Sequence, residues 1–291
     1  MSAPLARRPP AAAADVPALR CAGLVHVYRE AGTDVAALRG IDLEVEPGQR
    51  VALLGPSGSG KSTLLTVVAG IMRPSAGTVA VFGTDLGNAR ERNLRRLRAG
   101  TLGLMLQGAS TNLLLHEGAG ANVEWALRGI PSGSTRVADQ LLDAAGLRAD
   151  DRPVREMSPA EQQMLALAVA MSTRPRLLLA DEPTSQLDDA DRDRLLDLLV
   201  EIADQQGTAV LLVTHDELVA ARMQRSIHLR DGRIGEEATA AGRYAVIGAD
   251  GSIPLPEALR AEWGSGRLVS IDAVAPGELR IRGAETGGDH D

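Results

Sequence analysis

Residues 55–63, Gly-Pro-Ser-Gly-Ser-Gly-Lys-Ser-Thr, stand between the apolar run Val51-Ala52-Leu53-Leu54 and the apolar run Leu64-Leu65-Thr66-Val67-Val68-Ala69. The nine residues fit the pattern G-x-x-x-x-G-K-[ST], with the strand before it and the helix after it that the pattern requires. The glycines let successive backbone N–H groups turn inward around phosphate oxygens, and the following helix N-terminus adds its dipole. Lys61 has the reach to meet the outer phosphates of a nucleotide, and the Ser62 hydroxyl can ligate Mg²⁺. Gly55, Pro56, Ser57, Gly58, Ser59, Gly60, Lys61, Ser62 and Thr63 are therefore the candidate phosphate loop.

Composition supports this placement. Of the 31 basic residues in the 291-residue chain, Lys61 is the only lysine. Genomic bias accounts for thirty arginines but not for the exception, because an ammonium is a compact point charge suited to meeting a phosphate end-on. The hydrophobic content of 44% and charged content of 24% are ordinary for a globular protein. A net charge of −7 argues against a general nucleic-acid surface. One cysteine, Cys21, allows no internal disulfide and suits a reducing compartment. No apolar stretch approaches the ~18 residues that span a bilayer. Residues 1–19 lack the apolar core of a signal peptide, and a disordered extension is expected there. Together these point to a cytoplasmic protein.

Strands are expected at 23–28, 41–45, 50–54, 78–82 and 101–106, with a helix from Lys61 to about Ala69. The arginine-rich residues 89–98 read as exposed. Residues 113–171 are mostly helical in pattern, and strand–helix alternation then resumes with 176–180, a helix over about 188–205, and 209–215. This order implies a parallel sheet covered by helices, with 113–171 inserted as a helical subdomain. A boundary is expected near 235–243, where the pattern changes to short turns and strands. Leu113, Leu114 and Leu115 cannot all face inward on one helix, so part of that triplet is expected at the surface or in an interface.

Further candidates sit at strand ends, where ligands collect in open α/β sheets. Asp181 and Glu182 close the run Leu177-Leu178-Leu179-Ala180. Asp181 can hold Mg²⁺ and Glu182 can polarise an attacking water. His215 ends the run 209–214, and Gln107 ends 101–106. Alone, either would be an ordinary polar loop residue. Residues 157–163, Met-Ser-Pro-Ala-Glu-Gln-Gln, precede an apolar run. Locally they read as a helix start, with Ser158 as N-cap, Pro159 at the first helical position and Glu161 completing a capping box.

The order of these motifs resembles the ATP-binding subunits of ABC transporters over residues 20–235. The stretches VYREAGTDVAALRGIDLEVEPGQ and LRRLRAGTLGLMLQ look like the branch serving lipoprotein release and macrolide efflux. The resemblance implies a P-loop NTPase fold with an α/β core, a mixed sheet and a helical subdomain at about 113–171. It implies that Tyr28 stacks on adenine, although a lone strand tyrosine also packs well. Residues 55–63 become the Walker A loop, and Asp181 and Glu182 the Walker B aspartate and catalytic base. Gln107 becomes the glutamine linking nucleotide to permease, His215 the switch histidine, and Asp188 an aspartate at the dimer interface. Such subunits pair head to tail around two Mg-ATP and power a separate permease at the inner face of the membrane. Ser158 and Ala160 then belong to the signature that completes the partner's site, although Pro159 and Ala160 replace its two glycines and Met164 its usual basic residue. The competing expectation is an ATP-binding regulatory protein with weak turnover.

Residues 243–283 resemble a swapped-hairpin module of the transition-state-regulator type, a small β-rich appendage followed by a disordered tail at 284–291. From Arg243 onward there are five arginines against eight carboxylates, which disfavours DNA binding.

Overall fold

The apolar runs of the sequence become the middle of one sheet. The computed structural model describes residues 16–30, 33–128, 134–147, 151–247, 251–253, 255, 269–275 and 278–283. Its first part is β1 (Leu19–Glu30), β2 (Thr33–Val45), β3 (Arg50–Leu54), α1 (Lys61–Val68), β4 (Ala76–Val81) and β5 (Thr84–Asp85). Next come α2 (Glu91–Gly100), β6 (Leu102–Met105), α3 (Ala109–Asn112), α4 (Ala119–Ala126), α5 (Ser134–Ala145) and α6 (Pro159–Ser172). The chain continues with β7 (Leu177–Asp181), α7 (Asp189–Gln206), β8 (Ala209–Val213), α8 (Glu217–Ala220), β9 (Arg225–Arg230), β10 (Arg233–Thr239) and β11 (Gly242–Ala245). Strands β12 (Val269–Ala275) and β13 (Glu278–Gly283) follow.

The main sheet has the order β11-β10-β9-β3-β8-β7-β6. Its strands from β9 to β6 are parallel, and β10 and β11 add on antiparallel. A second, antiparallel sheet has the order β2-β1-β4-β5. The fold is thus the α/β core with mixed sheet that the motif order implies.

Period-2 alternation divides the core. Val51, Leu53, Leu177, Leu179, Leu211 and Val213 face the side shared with α1 and the antiparallel sheet. Ala52, Leu54, Leu178, Ala180, Val210 and Leu212 face the side of α5, α6 and α7. Strands buried on both faces carry continuous apolar sequence rather than alternation, which is why their runs are so plain. Helix α6 is apolar nearly all round, burying Met164, Leu165, Ala166, Leu167, Ala168 and Met171, as a helix enclosed by others must.

Two expectations change. Residues 89–98 are not simply exposed: Ala89 is buried, and α2 buries Leu94 and Leu97 with its arginines turned outward. One of those, Arg98, donates to the Gly70 carbonyl at 2.7 Å and to Glu91 at 2.8 Å. The sheet also does not stop near 235, because β10 and β11 extend it to Ala245. Strands β12 and β13 pair antiparallel with each other. Residues 256–268 ahead of them lie outside the described residues, as do residues 1–15 of the N-terminal extension and the tail 284–291.

Candidate nucleotide site

Four parallel neighbours end at one edge of the main sheet. The pairs Leu53↔Val213, Asp181↔Val213 and Met105↔Ala180 set their C-terminal ends level. Sheet register therefore brings the loop after β3, the carboxylates of β7, the histidine after β8 and the glutamine after β6 together. A cleft of about 380 Å³ lies there, lined by Tyr28, Ala37, Ser57, Gly58, Gly60, Lys61, Ser62, Thr63, Gln107, Asp181, Glu182 and Val213; His215 is not among the lining residues and joins the site through Glu182. That volume lies within the usual small-molecule range of about 300–1,000 Å³.

The loop is shaped by close approach. A Cβ on Gly55 would lie 2.1 Å from the Leu229 carbonyl oxygen, and one on Gly60 would lie 2.5 Å from that of Ala37. Gly60 also caps α1 in the left-handed region at φ 103°, which glycine adopts without cost. Lys61 is buried, and its Nζ donates to the carbonyls of Gly55 at 2.7 Å and Pro56 at 2.9 Å. The loop thus wraps the ammonium. The buried Ser59 hydroxyl has no hydrogen-bond partner among the described residues.

Asp181 and Glu182 differ sharply. Asp181 is buried, its Oδ1 has no partner among the described residues, and the Ser62 hydroxyl hydrogen-bonds its carboxylate. Burial pushes its pKa up, against the pull of that hydroxyl; the Glu182 charge adds to the rise and the Lys61 ammonium opposes it. Glu182 sits in the left-handed region at φ 49°, and its Oε1 accepts from His215 Nδ1 at 2.8 Å. A carboxylate only accepts, so Nδ1 carries the proton. A left-handed non-glycine residue is sterically costly, and such residues cluster at functional sites.

The orphaned carboxylate oxygen of Asp181, the Ser62 hydroxyl and the nearby Gln107 amide form an all-oxygen donor set that fits Mg²⁺. A testable consequence follows for Asp181→Asn. With its pKa raised by folding, Asp181 favours the native state when protonated and costs stability once ionised, above its folded pKa. The amide should therefore raise the metal-free Tm by a few degrees at neutral pH. The gain should shrink as pH falls through the folded pKa and vanish below the ordinary carboxylate value of 3.8, while Mg-dependent nucleotide turnover is lost. Thermal melts with and without Mg²⁺ across that pH range check it; an unchanged or lower metal-free Tm at neutral pH would contradict it.

Tyr28 reaches the loop through its hydroxyl, 3.2 Å from Thr63 Oγ1. Its ring meets His26 edge-on at 4.9 Å. His26 is buried and fixed by its Nδ1, 3.1 Å from the Arg73 carbonyl. Beyond Gln107 stand two asparagines that sequence reasoning does not single out. Asn112 binds backbone around Gln107, and buried Asn122 binds the N–H and C=O of Leu114. Their only sequence signal is position after a strand-end glutamine. Gln162 is a third such residue, its Nε2 tying α6 to the carbonyls of Val154 and Met157. Of the leucine triplet, Leu113 is buried, Leu115 packs partly against the core, and Leu114 is 39% exposed.

Ser158, Ala160 and Asp188 lie outside this cleft. Ser158 forms the full capping box: its hydroxyl accepts from Glu161 N at 3.2 Å, and its N–H donates to Glu161 Oε2 at 2.7 Å. These bonds, chiefly that N–H, hold the Glu161 carboxyl below its ordinary pKa, with help from Arg152. Asp188 caps α7, accepting from Asp191 N at 2.8 Å.

The family model for ABC transporters matches residues 38–185. The lipoprotein-releasing system ATP-binding protein LolD 2 of Caulobacter vibrioides is 41% identical over 224 residues, covering 75% of this chain and 96% of that protein. The uncharacterized ABC transporter ATP-binding protein YbbA of Escherichia coli K12 is 38% identical over 229 residues, covering 77% of this chain and all of that protein. Among solved structures, the dimeric post-hydrolysis state of the ATP-binding cassette MJ0796 bound to ADP and Pi superposes with a TM-score of 0.69. It is 30% identical and covers 76% of this chain and 98% of that one.

Proposed function

The chain belongs to the ATP-binding subunits of ABC transporters, and from that membership we propose how its own residues do the family's work. The family binds and hydrolyses ATP to drive a separate membrane permease. In our reading two cassettes, identical or related, close head to tail, so that each cleft is completed by the Ser158 end of the partner's α6. The likeness to lipoprotein-releasing ATPases favours a permease handling lipoprotein or lipid. No described helix is long and apolar enough to cross a membrane, and we place the subunit at the inner face of the cell membrane through that permease. Residues beyond β11, up to 283, are read as an appended module; the eight carboxylates against five arginines from Arg243 to the last residue favour contact with protein over nucleic acid.

Within the cleft, the loop 55–63 and Lys61 bind the outer phosphates, and Tyr28 takes the base. Ser62, Asp181 and Gln107 hold Mg²⁺, which when bound neutralises phosphate charge. Glu182 orients the attacking water, and the His215 Nδ1–H fixes the Glu182 carboxylate. The observation that carries this reading is the convergence of Tyr28, the phosphate loop, Gln107, Asp181 and Glu182 on one cleft, with His215 bonded to Glu182.

The signature decides how well the site closes. Ser158 keeps the hydroxyl and Ala160 keeps its N–H, while Pro159 removes one N–H but suits the first helical turn. We expect slow turnover by the isolated subunit and faster turnover with permease. Replacing Pro159 and Ala160 together with glycine should raise basal turnover, and Ser158→Arg should abolish it by blocking closure. Phosphate release from the purified complex is the measurement. No hydrolysis at all, together with indifference to Ser158→Arg, would instead establish the regulatory, ATP-holding role.

A further inference from the structure

We propose that Asn112 is a positioning residue for Gln107, holding the backbone on both sides of it. Strand β6 ends at Met105, so the next peptide groups have left the sheet ladder and need other partners. Asn112 supplies them. Its Oδ1 accepts from Leu106 N at 2.8 Å, and its Nδ2 donates to Leu106 O at 2.7 Å and to Gly108 O at 3.0 Å. One amide therefore satisfies both polar groups of the residue before Gln107 and the carbonyl of the residue after it. The carbonyl of Gln107 itself accepts from Thr111 Oγ1 at 3.1 Å, so every residue from 106 to 108 is tied to α3.

Leu113, directly after Asn112, is buried in the core, which anchors the clamp. Gly108 turns the chain at φ 82°, closing α3 back on the strand end. The side chain of Gln107 is left to line the cleft while its backbone is held. Only a carboxamide meets both needs. An aspartate of the same shape would turn a carboxylate oxygen toward the two carbonyls and lose both donors.

This inference rests on the reading of Gln107 as a cleft-facing metal ligand, and the test separates the two. Mn²⁺ affinity is measured on the full-length chain holding a non-hydrolysable ATP analogue, from the signal of free Mn²⁺, alongside ATP turnover. Asn112→Asp is expected to weaken Mn²⁺ binding about threefold to tenfold, Gln107→Ala to do the same or more, and the double variant to match Gln107→Ala alone. Thr111→Val, which removes only the bond to the Gln107 carbonyl, should give a smaller loss in the same direction should Asn112→Asp fold poorly. If Gln107→Ala weakens Mn²⁺ and both Asn112→Asp and Thr111→Val leave it unchanged, the clamp is overturned while the Gln107 reading stands. Full additivity in the double variant would also overturn it, by showing an effect that does not pass through Gln107. If Gln107→Ala changes nothing, the Gln107 reading falls and takes the clamp with it.

Discussion

Glu182→Gln is expected to bind Mg-ATP and turn it over at least about a hundredfold more slowly, with an ATP-bound dimer accumulating. A positioned general base contributes roughly 10²–10⁴-fold, and Glu182 is the cleft carboxylate whose direction the His215 ring fixes. The substitution isolates that role. The glutamine Oε1 can still accept from the His215 Nδ1–H, which now spans 2.8 Å to the carboxylate, so the shape of the dyad survives while its basicity is lost. The Asp181 carboxyl would ionise more readily, since the neighbouring charge that helps raise its pKa is gone. Metal binding should therefore hold or tighten as turnover collapses. Single-turnover phosphate release and size-exclusion chromatography with ATP measure the two halves. Near-normal turnover would remove Glu182 from the mechanism.

The parts of the site that sequence made legible are those whose residue type is forced by backbone or charge. Gly55 and Gly60 stand where any Cβ would strike a carbonyl, and Lys61 stands where a single ammonium is wrapped by two. The parallel strands were equally plain, because burial on both faces leaves uninterrupted apolar runs such as Leu177 to Ala180. Strands β1 and β2 were visible only as 23–28 and 41–45. Register shifts at Cys21/Leu24, Leu24/Val25 and His26/Val27 break their alternation, so the full lengths, Leu19 to Glu30 and Thr33 to Val45, carry no clean period. Helix α2 was hidden by its arginines, since two leucines in ten residues are a thin stripe. Asn112 and Asn122 were not legible for a different reason: an asparagine that clamps a backbone turn has no periodic neighbour, and only the path of the chain reveals what it holds. The capping box at Ser158 was read from sequence and formed as read. What it does for a second subunit is a property of two chains, which one chain's pattern does not contain.

Lys61→Arg is expected to cost about 10- to 100-fold in ATP affinity, although the chain carries thirty other arginines. If position 61 needed only positive charge, arginine would serve, as it does everywhere else in this protein. The geometry requires more. The ammonium is buried and sits within 2.9 Å of the carbonyls of Gly55 and Pro56, inside a loop pressed against Leu229 on one side and Ala37 on the other. That loop cannot widen without moving both strands. A planar guanidinium needs more room and presents its donors in a fixed fork. It must therefore either push the loop open, misdirecting the backbone N–H groups, or leave the cleft altogether. A hydrogen bond to a charged group is worth about 1.5–3 kcal/mol, which converts to the stated loss if one such bond to phosphate goes. Fold stability should change less than affinity, because α1 keeps Leu64, Leu65, Val67 and Val68 in the core. ATP binding by calorimetry, beside a thermal melt, separates the two effects. Equal affinity in the variant would mean that the ammonium's shape does not matter here and that position 61 needs only positive charge.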